Sequence, residues 1–339
     1  MRAIIYRETG DPTVLQLVER NPPTPAPGEV VVKIEYSGVN PTDWKSRRGA
    51  KPGDPLQFPE VVPNQDGSGT IIEVGEGVSQ SRIGQRVWIW EAAYQRPNGT
   101  AQEMVAVPQS QAVPLPDSAT FEQGASLGIP ALTAHRCLTV HPGCDGRLAP
   151  GSLVGKVVLV AGGAGAVGHA AIQLAKWAGA EVITTVSSSD KEVLAKAAGA
   201  HHIVNYRTSD PIAELRKLSS NGMDIVVEVA PFANNQLDQA VISSNGTIAI
   251  YANDGDQLEL PIRPSMMANV RYQFVMVYSV PKVVKKQAVE DVERALVDGV
   301  LTVGQDAGMP IHYFSLEDTA KAHEAVENST VGKVLIRMG

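Results

Sequence analysis

Cysteine is nearly absent: the 339 residues contain Cys137 and Cys144 and no others. Two thiols cannot build a disulfide framework, and they fall short of the four closely spaced cysteines of a structural zinc lobe. Aromatic residues make up only 5% of the chain and form no aromatic-basic motif of the kind that binds RNA. Positive charge is in deficit too, with 29 Lys and Arg against 36 Asp and Glu and a formal net charge of -7. Such a chain repels phosphate backbones and anionic lipid, and its basic runs, such as Lys45-Ser46-Arg47-Arg48, are short. No nucleic-acid partner is expected. No apolar run reaches the ~20 residues that cross a bilayer, and Met1-Arg2-Ala3-Ile4-Ile5-Tyr6 lacks the apolar core and cleavage site of a signal peptide. The expectation is a cytoplasmic protein with no membrane partner.

At roughly 150 residues per domain, the length predicts two domains, and 43% hydrophobic with 19% charged residues is the composition of a folded chain. To about residue 124 the pattern is one of short strands between turns, at 2–6, 14–18, 29–36, 69–74, 86–90 and 102–107. From Leu153 onward, apolar runs at 157–161, 181–186, 202–206, 224–229, 246–251 and 272–280 alternate with helical patterns. That alternation predicts an α/β protein with a doubly wound parallel sheet of the Rossmann type. Helices over 285–298 and 316–327 and a strand over 333–337 complete the chain. The tail is expected to return to the first domain, giving one domain of 1–124 completed by 280–339 and a second of 125–279. The Gly- and Pro-rich stretch 141–151 reads as a long loop.

Residues 157 to 168 read V-V-L-V-A-G-G-A-G-A-V-G, so Gly163, Gly165 and Gly168 satisfy G-x-G-x-x-G directly after an apolar strand and before an alanine-rich helix. Glycines there permit a tight turn, close approach of backbone to a pyrophosphate, and close packing of helix on strand. The loop Gly163, Ala164, Gly165, Ala166, Val167, Gly168 is the candidate dinucleotide site. A site that prefers NADH carries an acid at the end of the second strand to hold the ribose hydroxyls. This chain has Val186-Ser187-Ser188-Ser189 instead, with Lys191 near enough to neutralise a 2'-phosphate. Ser187, Ser188 and Lys191 therefore favour NADPH, while Asp190 reads as a cap for a helix over 191–198.

At this point the chain resembles the medium-chain dehydrogenase/reductase superfamily, in its zinc-independent quinone oxidoreductase, or zeta-crystallin-like, branch. The resemblance rests on Ser37-Gly38-Val39-Asn40-Pro41-Thr42-Asp43, on the run from Asp66 to Gly75, on Gly162 to Gly168, and on Val204-Asn205-Tyr206-Arg207. It implies a GroES-like β-rich catalytic domain, a Rossmann cofactor domain, an active site in the cleft between them, and a homodimer formed through the last Rossmann strand. It further implies an NADPH-dependent two-electron reductase. Zinc alcohol dehydrogenases of the superfamily carry a cysteine where Asn40 stands and Gly-His-Glu where Asn64-Gln65-Asp66 stands. Neutral amides are poor zinc ligands, so no metal is expected. Asp66 resembles an acid that persists in zinc-free members and reads as structural.

Without a metal, an already electrophilic quinone or α,β-unsaturated carbonyl is the substrate class that can accept hydride directly. Negative charge then builds on the carbonyl oxygen and needs a donor. Lys45, in a pattern similar to that of enone reductases, is the first candidate, with a solvated lysine as the alternative reading; Asn40 is the second, with a turn-forming Asn-Pro as its alternative. Bacterial quinone reductases carry tyrosines near positions 45 and 51, and Lys45 and Lys51 here shift the expectation toward enones. The resemblance also places Thr133 beside the nicotinamide and Tyr206 beside the 2'-phosphate. Ala230, Tyr251 and Tyr278 fall at the carboxyl ends of the fourth to sixth strands, where open α/β sheets bind ligands. Trp44, Trp90 and Tyr94 either wall a substrate pocket or pack. Two other readings share these features: a trans-2-enoyl thioester reductase, and an NADPH-binding sensor or crystallin-like structural protein.

Overall fold

The computed structural model describes residues 1–255 and 257–339. From the N-terminus the chain forms β1 (Arg2–Ile5), β2 (Gln16–Glu19), β3 (Glu29–Val39), α1 (Pro41–Arg48), β4 (Asp66–Val74), β5 (Arg86–Ile89), β6 (Met104–Pro108) and β7 (Ala112–Pro114). Helix α2 (Phe121–Thr139) leads to β8 (Val157–Ala161), α3 (Ala166–Trp177), β9 (Glu181–Val186), α4 (Ser189–Ala198), β10 (His202–Asn205), α5 (Pro211–Leu218), β11 (Met223–Glu228), α6 (Pro231–Val241) and β12 (Ile242–Ile250). Then follow α7 (Ile262–Met267), β13 (Arg271–Phe274), α8 (Lys282–Val297), β14 (Ile311–Ser315), α9 (Thr319–Glu327) and β15 (Lys333–Arg337). No helix among the described residues is long and apolar enough to cross a membrane.

Two compact units emerge, one of residues 1–129 with 310–339, the other of residues 130–309. The tail does return to the first unit, but 30 residues later than the sequence pattern indicated: α8, an amphipathic helix with Val292, Ala295 and Leu296 buried, belongs with the second unit. The first boundary also falls later than 124, because α2 runs on past it as one helix whose Pro130 marks the division.

The first unit is built on a sheet of order β14-β15-β3-β4-β5-β7, antiparallel except for β14 with β15. Strand β3 is its spine: β4 lies along one edge, while the other edge is shared between β6, at Glu29 to Lys33, and β15, at Tyr36 to Val39. The apolar alternation of β3 sends Val30, Val32 and Ile34 into a core with Ile71, Val87, Ile89, Val105 and Val334. The sequence pattern missed β7, β14 and α1. Helix α1 was legible in principle, since Pro41 at its first position and Asp43 at its third are start signals.

In the second unit six parallel strands take the order β10-β9-β8-β11-β12-β13. The order reverses between β8 and β11, and right-handed crossovers then send α3 and α4 to one face and α5 and α6 to the other. Strands β8 to β12 match their predicted cores to within a few residues, because each is a buried apolar run between turns. The sixth is shorter than its apolar run: β13 stops at Phe274 and the chain turns through a 3-10 segment, Val277–Ser279.

Close packing enforces Gly128 in helix α2. A Cβ at Gly128 would stand 1.9 Å from Asp66 Oδ1, whose carboxylate accepts the Ile129 N–H at 2.9 and 3.0 Å. Gly128→Ala should therefore destabilise the protein by about 1–3 kcal/mol, although the same change in an open helix stabilises it. A lowered thermal midpoint is expected; an unchanged or raised one overturns the account.

Candidate functional site

The glycine loop closes β8 and opens α3 at the reversal of strand order, the place where open parallel sheets bind ligands. Its glycines do separate jobs. Gly162 adopts φ +69°, the left-handed turn. A Cβ on Gly163 would meet Thr184 Oγ1 at 2.2 Å, and one on Gly168 would meet the Gly162 carbonyl at 2.4 Å, so both are held by packing. Gly165 differs: its nearest neighbour would be a single carbonyl at 3.4 Å, and the residue is exposed. Side chains are thus excluded at Gly163 and Gly168 by protein, while at Gly165 the space is left open. Gly165 is also the N-cap of α3 and offers no side chain, so the first-turn amides of Ala166, Val167 and Gly168 have no side-chain acceptor. Ala164 is buried under this turn. An anionic group fits that open cradle, where amides and helix dipole converge.

At the end of β9, Lys191 Nζ donates to Ser187 Oγ at 3.1 Å, and Ser188 caps α4 by accepting the Lys191 N–H at 3.4 Å. The cap is therefore Ser188, and Asp190 sits inside the first turn; a hydroxyl two residues before the acid wins because it already has the extended N-cap backbone. Tyr206 is 45% exposed, not core, and its N–H donates to Val186 at 3.1 Å, placing it beside Ser187. Exposed Arg207 stands with its guanidinium 5.7 Å from the Tyr206 ring centroid, a second cation at this end of the sheet to which the sequence assigns no role although it directly follows Tyr206.

Beyond β11, Val229 lies against Gly162, with its Cγ1 3.4 Å from where a Cβ on that glycine would be. Ala230 caps α6, and Tyr251 follows β12 with its N–H donated to the Glu228 carbonyl at 3.1 Å. Burial, more than the nearby Cys137 and Glu228, drives the Tyr251 phenol well above its usual range. Tyr278 does not end a strand: β13 has stopped four residues earlier and Tyr278 is buried in the 3-10 turn. Thr133 is buried within α2. His201 accepts the Val182 N–H, and His202 pairs with Glu181.

In the first unit, a buried polar network occupies the end of β3, the start of β4 and the start of β15. Asn40 Nδ2 donates to Asp66 Oδ2 at 2.7 Å, and Asn40 Oδ1 accepts from Lys333 Nζ at 2.8 Å. Lys333 Nζ is 3.9 Å from Asp66, and Asp43 accepts the N–H groups of Asn40 at 2.7 Å and Gln65 at 3.2 Å. All four side chains are at most 3% exposed. Burial pushes Asp66 up to about 6 against the pull of Lys333, Asn40 and Ile129 N–H; burial and the Asp66 charge push Asp43 up to about 8. The Lys333 ammonium is lowered by the same burial. This corrects one expectation: Asn40 is not an open donor, because its side chain is buried with its amide nitrogen on Asp66 and its oxygen on Lys333. Lys45 is exposed on α1, 5.8 Å from the Trp44 ring centroid. Trp90 is buried, and Trp44 and Tyr94 are half-buried.

Comparison with known proteins agrees with this geometry. The family described as "Alcohol dehydrogenase GroES-like domain" matches residues 26–117, and that described as "Zinc-binding dehydrogenase" matches residues 166–294. The quinone oxidoreductase of Rattus norvegicus is 30% identical over 347 residues, covering 99% of this chain and 97% of that protein. The rat synaptic vesicle membrane protein VAT-1 homolog is 34% identical over 242 residues, 71% of this chain; the match spans 56% of that relative's length. Among solved structures, an NAD-dependent alcohol dehydrogenase superposes with a TM-score of 0.84 at 28% identity, covering 100% of both chains. A mycobacterial protein complexed with NADPH superposes with a TM-score of 0.81 at 28% identity, covering 99% of this chain and 100% of that one.

The second family description raises a zinc ion, and the donor set does not fit one. Among the described residues no group of three or more His, Cys, Asp or Glu is placed to hold a metal. Gln65 Oε1 accepts the Ala93 N–H at 3.1 Å, and the cation between Asn40 and Asp66 is the Lys333 ammonium. A dinucleotide does fit the open cradle at Gly165.

The raised carboxyls have a measurable consequence. An acid whose folded value lies above its ordinary 3.8 binds its proton more tightly in the folded state, so its contribution to stability falls as pH rises from there to about 8. Asp43→Asn should lower stability at acid pH, since one of two accepted N–H groups loses its oxygen, and should flatten the decline between about pH 4 and 8. Denaturant midpoints across that range check both; an unchanged slope overturns the assignment.

Proposed function

The chain belongs to the medium-chain dehydrogenase/reductase superfamily, in its quinone oxidoreductase branch, and from that premise we propose that it is an NADPH-dependent reductase of quinones and α,β-unsaturated carbonyls. The observation that carries the reading is the open cradle at Gly165 lying in one parallel sheet with a serine-lysine pair at the end of β9. Bound NADPH supplies a hydride. The amides of Ala166, Val167 and Gly168 hold the pyrophosphate. Ser187, Ser188 and Lys191, with Tyr206 and Arg207, hold the 2'-phosphate; a carboxylate at the end of β9 would repel it, and none stands there. Ala230, Tyr251, Tyr278 and Thr133 complete the cofactor site. Lys45 brings positive charge to the carbonyl oxygen of the acceptor. Reduction of a conjugated acceptor needs no Lewis acid, which accords with a donor set unsuited to zinc.

The partner protein is a second copy of this chain. Edge strand β13 exposes Phe274, followed by Met276, and α7 exposes Ile262, Met266 and Met267, an apolar strip on an unpaired sheet edge. A solution mass of twice 36.0 kDa by light scattering is expected, falling to the single-chain mass in Phe274→Lys; a monomer at micromolar concentration overturns the dimer.

The function is tested by loss of reduced-nicotinamide absorbance on EDTA-treated protein, with an ortho-quinone, a short enone, and NADPH or NADH. Turnover with NADPH and no metal is expected; tight NADPH binding with no acceptor reduced would instead favour a sensor. The two lysines should divide the kinetic constants. Lys191→Ala should raise the KM for NADPH about tenfold and leave that for NADH unchanged, whereas Lys45→Ala should lower kcat about tenfold at unchanged KM for NADPH. Equal effects of the first on both cofactors, or unaltered turnover in the second, would return that lysine to the solvent.

A further inference from the structure

The second unit buries two carboxyl groups that the reading above does not use. Glu228, the last residue of β11, is 0% exposed, and Asp238, on α6, is 2% exposed. They are neighbours in the same buried spot, where two bare carboxylates would repel one another, so the pair holds a proton. Glu228 accepts the Ala230 N–H and, at 3.0 and 3.3 Å, the Asn234 amide. Asp238 has fewer partners, and its Oδ1 accepts no hydrogen bond. A neutral carboxyl tolerates that vacancy better than a carboxylate does, which puts the proton on Asp238 and the charge on Glu228. Burial raises both groups in the same sense.

What this pair holds is specific. Glu228 fixes Ala230 through its N–H, and the Ala230 carbonyl accepts the Asn234 N–H at 2.9 Å, so the turn is pinned on both sides. Val229, between them, leans on Gly162 of the glycine loop. The Glu228 backbone carbonyl meanwhile fixes Tyr251. One buried side chain and its own carbonyl thus set two of the strand ends that surround the cradle. We propose that Glu228 and Asp238, paired as carboxylate and acid, are positioning residues that hold the Val229-Ala230 turn against the glycine loop in the shape NADPH binding requires. The proposal rests on the cofactor reading and adds that the site is sensitive to the proton the pair shares. The titratable groups facing the pair are Tyr251 after β12 and Tyr272 on β13, with Cys137 of α2 behind Tyr251; all three are neutral with their protons on.

The test is NADPH affinity of the full chain by fluorescence titration across pH, with thermal melting of every variant. Asp238→Asn keeps a donor to Glu228 that cannot be titrated away. It should bind NADPH as the wild type does at neutral pH and hold that affinity at alkaline pH, where the wild type weakens. Asp238→Leu fills the space without a donor and should bind about tenfold more weakly at neutral pH, as should Glu228→Ala. A role in folding alone would move the melting temperature and leave the affinity of folded protein and its pH profile untouched. Wild-type affinity in Asp238→Leu, or identical pH profiles for wild type and Asp238→Asn, overturns the proposal and leaves the cofactor reading standing. Failure of the wild type to bind NADPH at all removes both.

Discussion

The first unit depends on one carboxylate. Asp66 begins β4 at full burial, and its two oxygens are shared among the Ile129 N–H, the Asn40 amide and, at longer range, the Lys333 ammonium. These partners come from the end of β3, the middle of α2 and the start of β15, so a single side chain ties three distant stretches together. Its own cost of burial is large, and it is offset only because each oxygen receives donors and a cation stands close. The consequences spread outward: Gly128 must lack a side chain, and Asn40 is drawn into the interior. The same arrangement places the Lys333 ammonium beside Asn40 and Asp66, so the positive charge at that point of the interior comes from a side chain.

The second unit is organised by a different constraint, the reversal of strand order between β8 and β11. Parallel strands end on a common edge, and at the reversal two successive crossovers leave in opposite directions, opening a crevice at that edge. Glycine keeps that crevice open at Gly165, and packing closes it at Gly163 and Gly168. Glu228 completes the arrangement from the far side. In both units, then, a buried acid at a strand terminus accepts backbone N–H groups from a neighbouring segment: Asp66 at the start of β4, Glu228 at the end of β11.

Local sequence carried a good part of this. The glycine loop, the hydroxyl-rich end of β9 and the apolar runs of β8 to β12 were legible because each is encoded within about ten residues, by spacing and residue type alone. The failures share a cause. Tyr278 lies outside its strand because the apolar run continues past Phe274 into a 3-10 turn that buries Val277 and Tyr278, and periodicity does not separate a strand from a buried turn. Helix α8 joins the second unit, against the expectation from sequence, because an amphipathic pattern shows which face is buried but not against what. Asn40 read as an open donor because its partners, 26 and 293 residues away, leave no trace at position 40. Arg207 and Glu228 stood in view; their significance lay in what they face.

By itself, the sequence determined the apolar runs of β8 to β12, the order of β-rich and α/β portions, and the residue types available for a phosphate and a 2'-phosphate, since all of these depend on neighbours close along the chain. Only the tertiary structure decided which charges are buried, which carboxyls keep a proton and which glycine faces open space. Those properties depend on desolvation and on donors arriving from remote strands, and neither distance nor dielectric is written into local sequence.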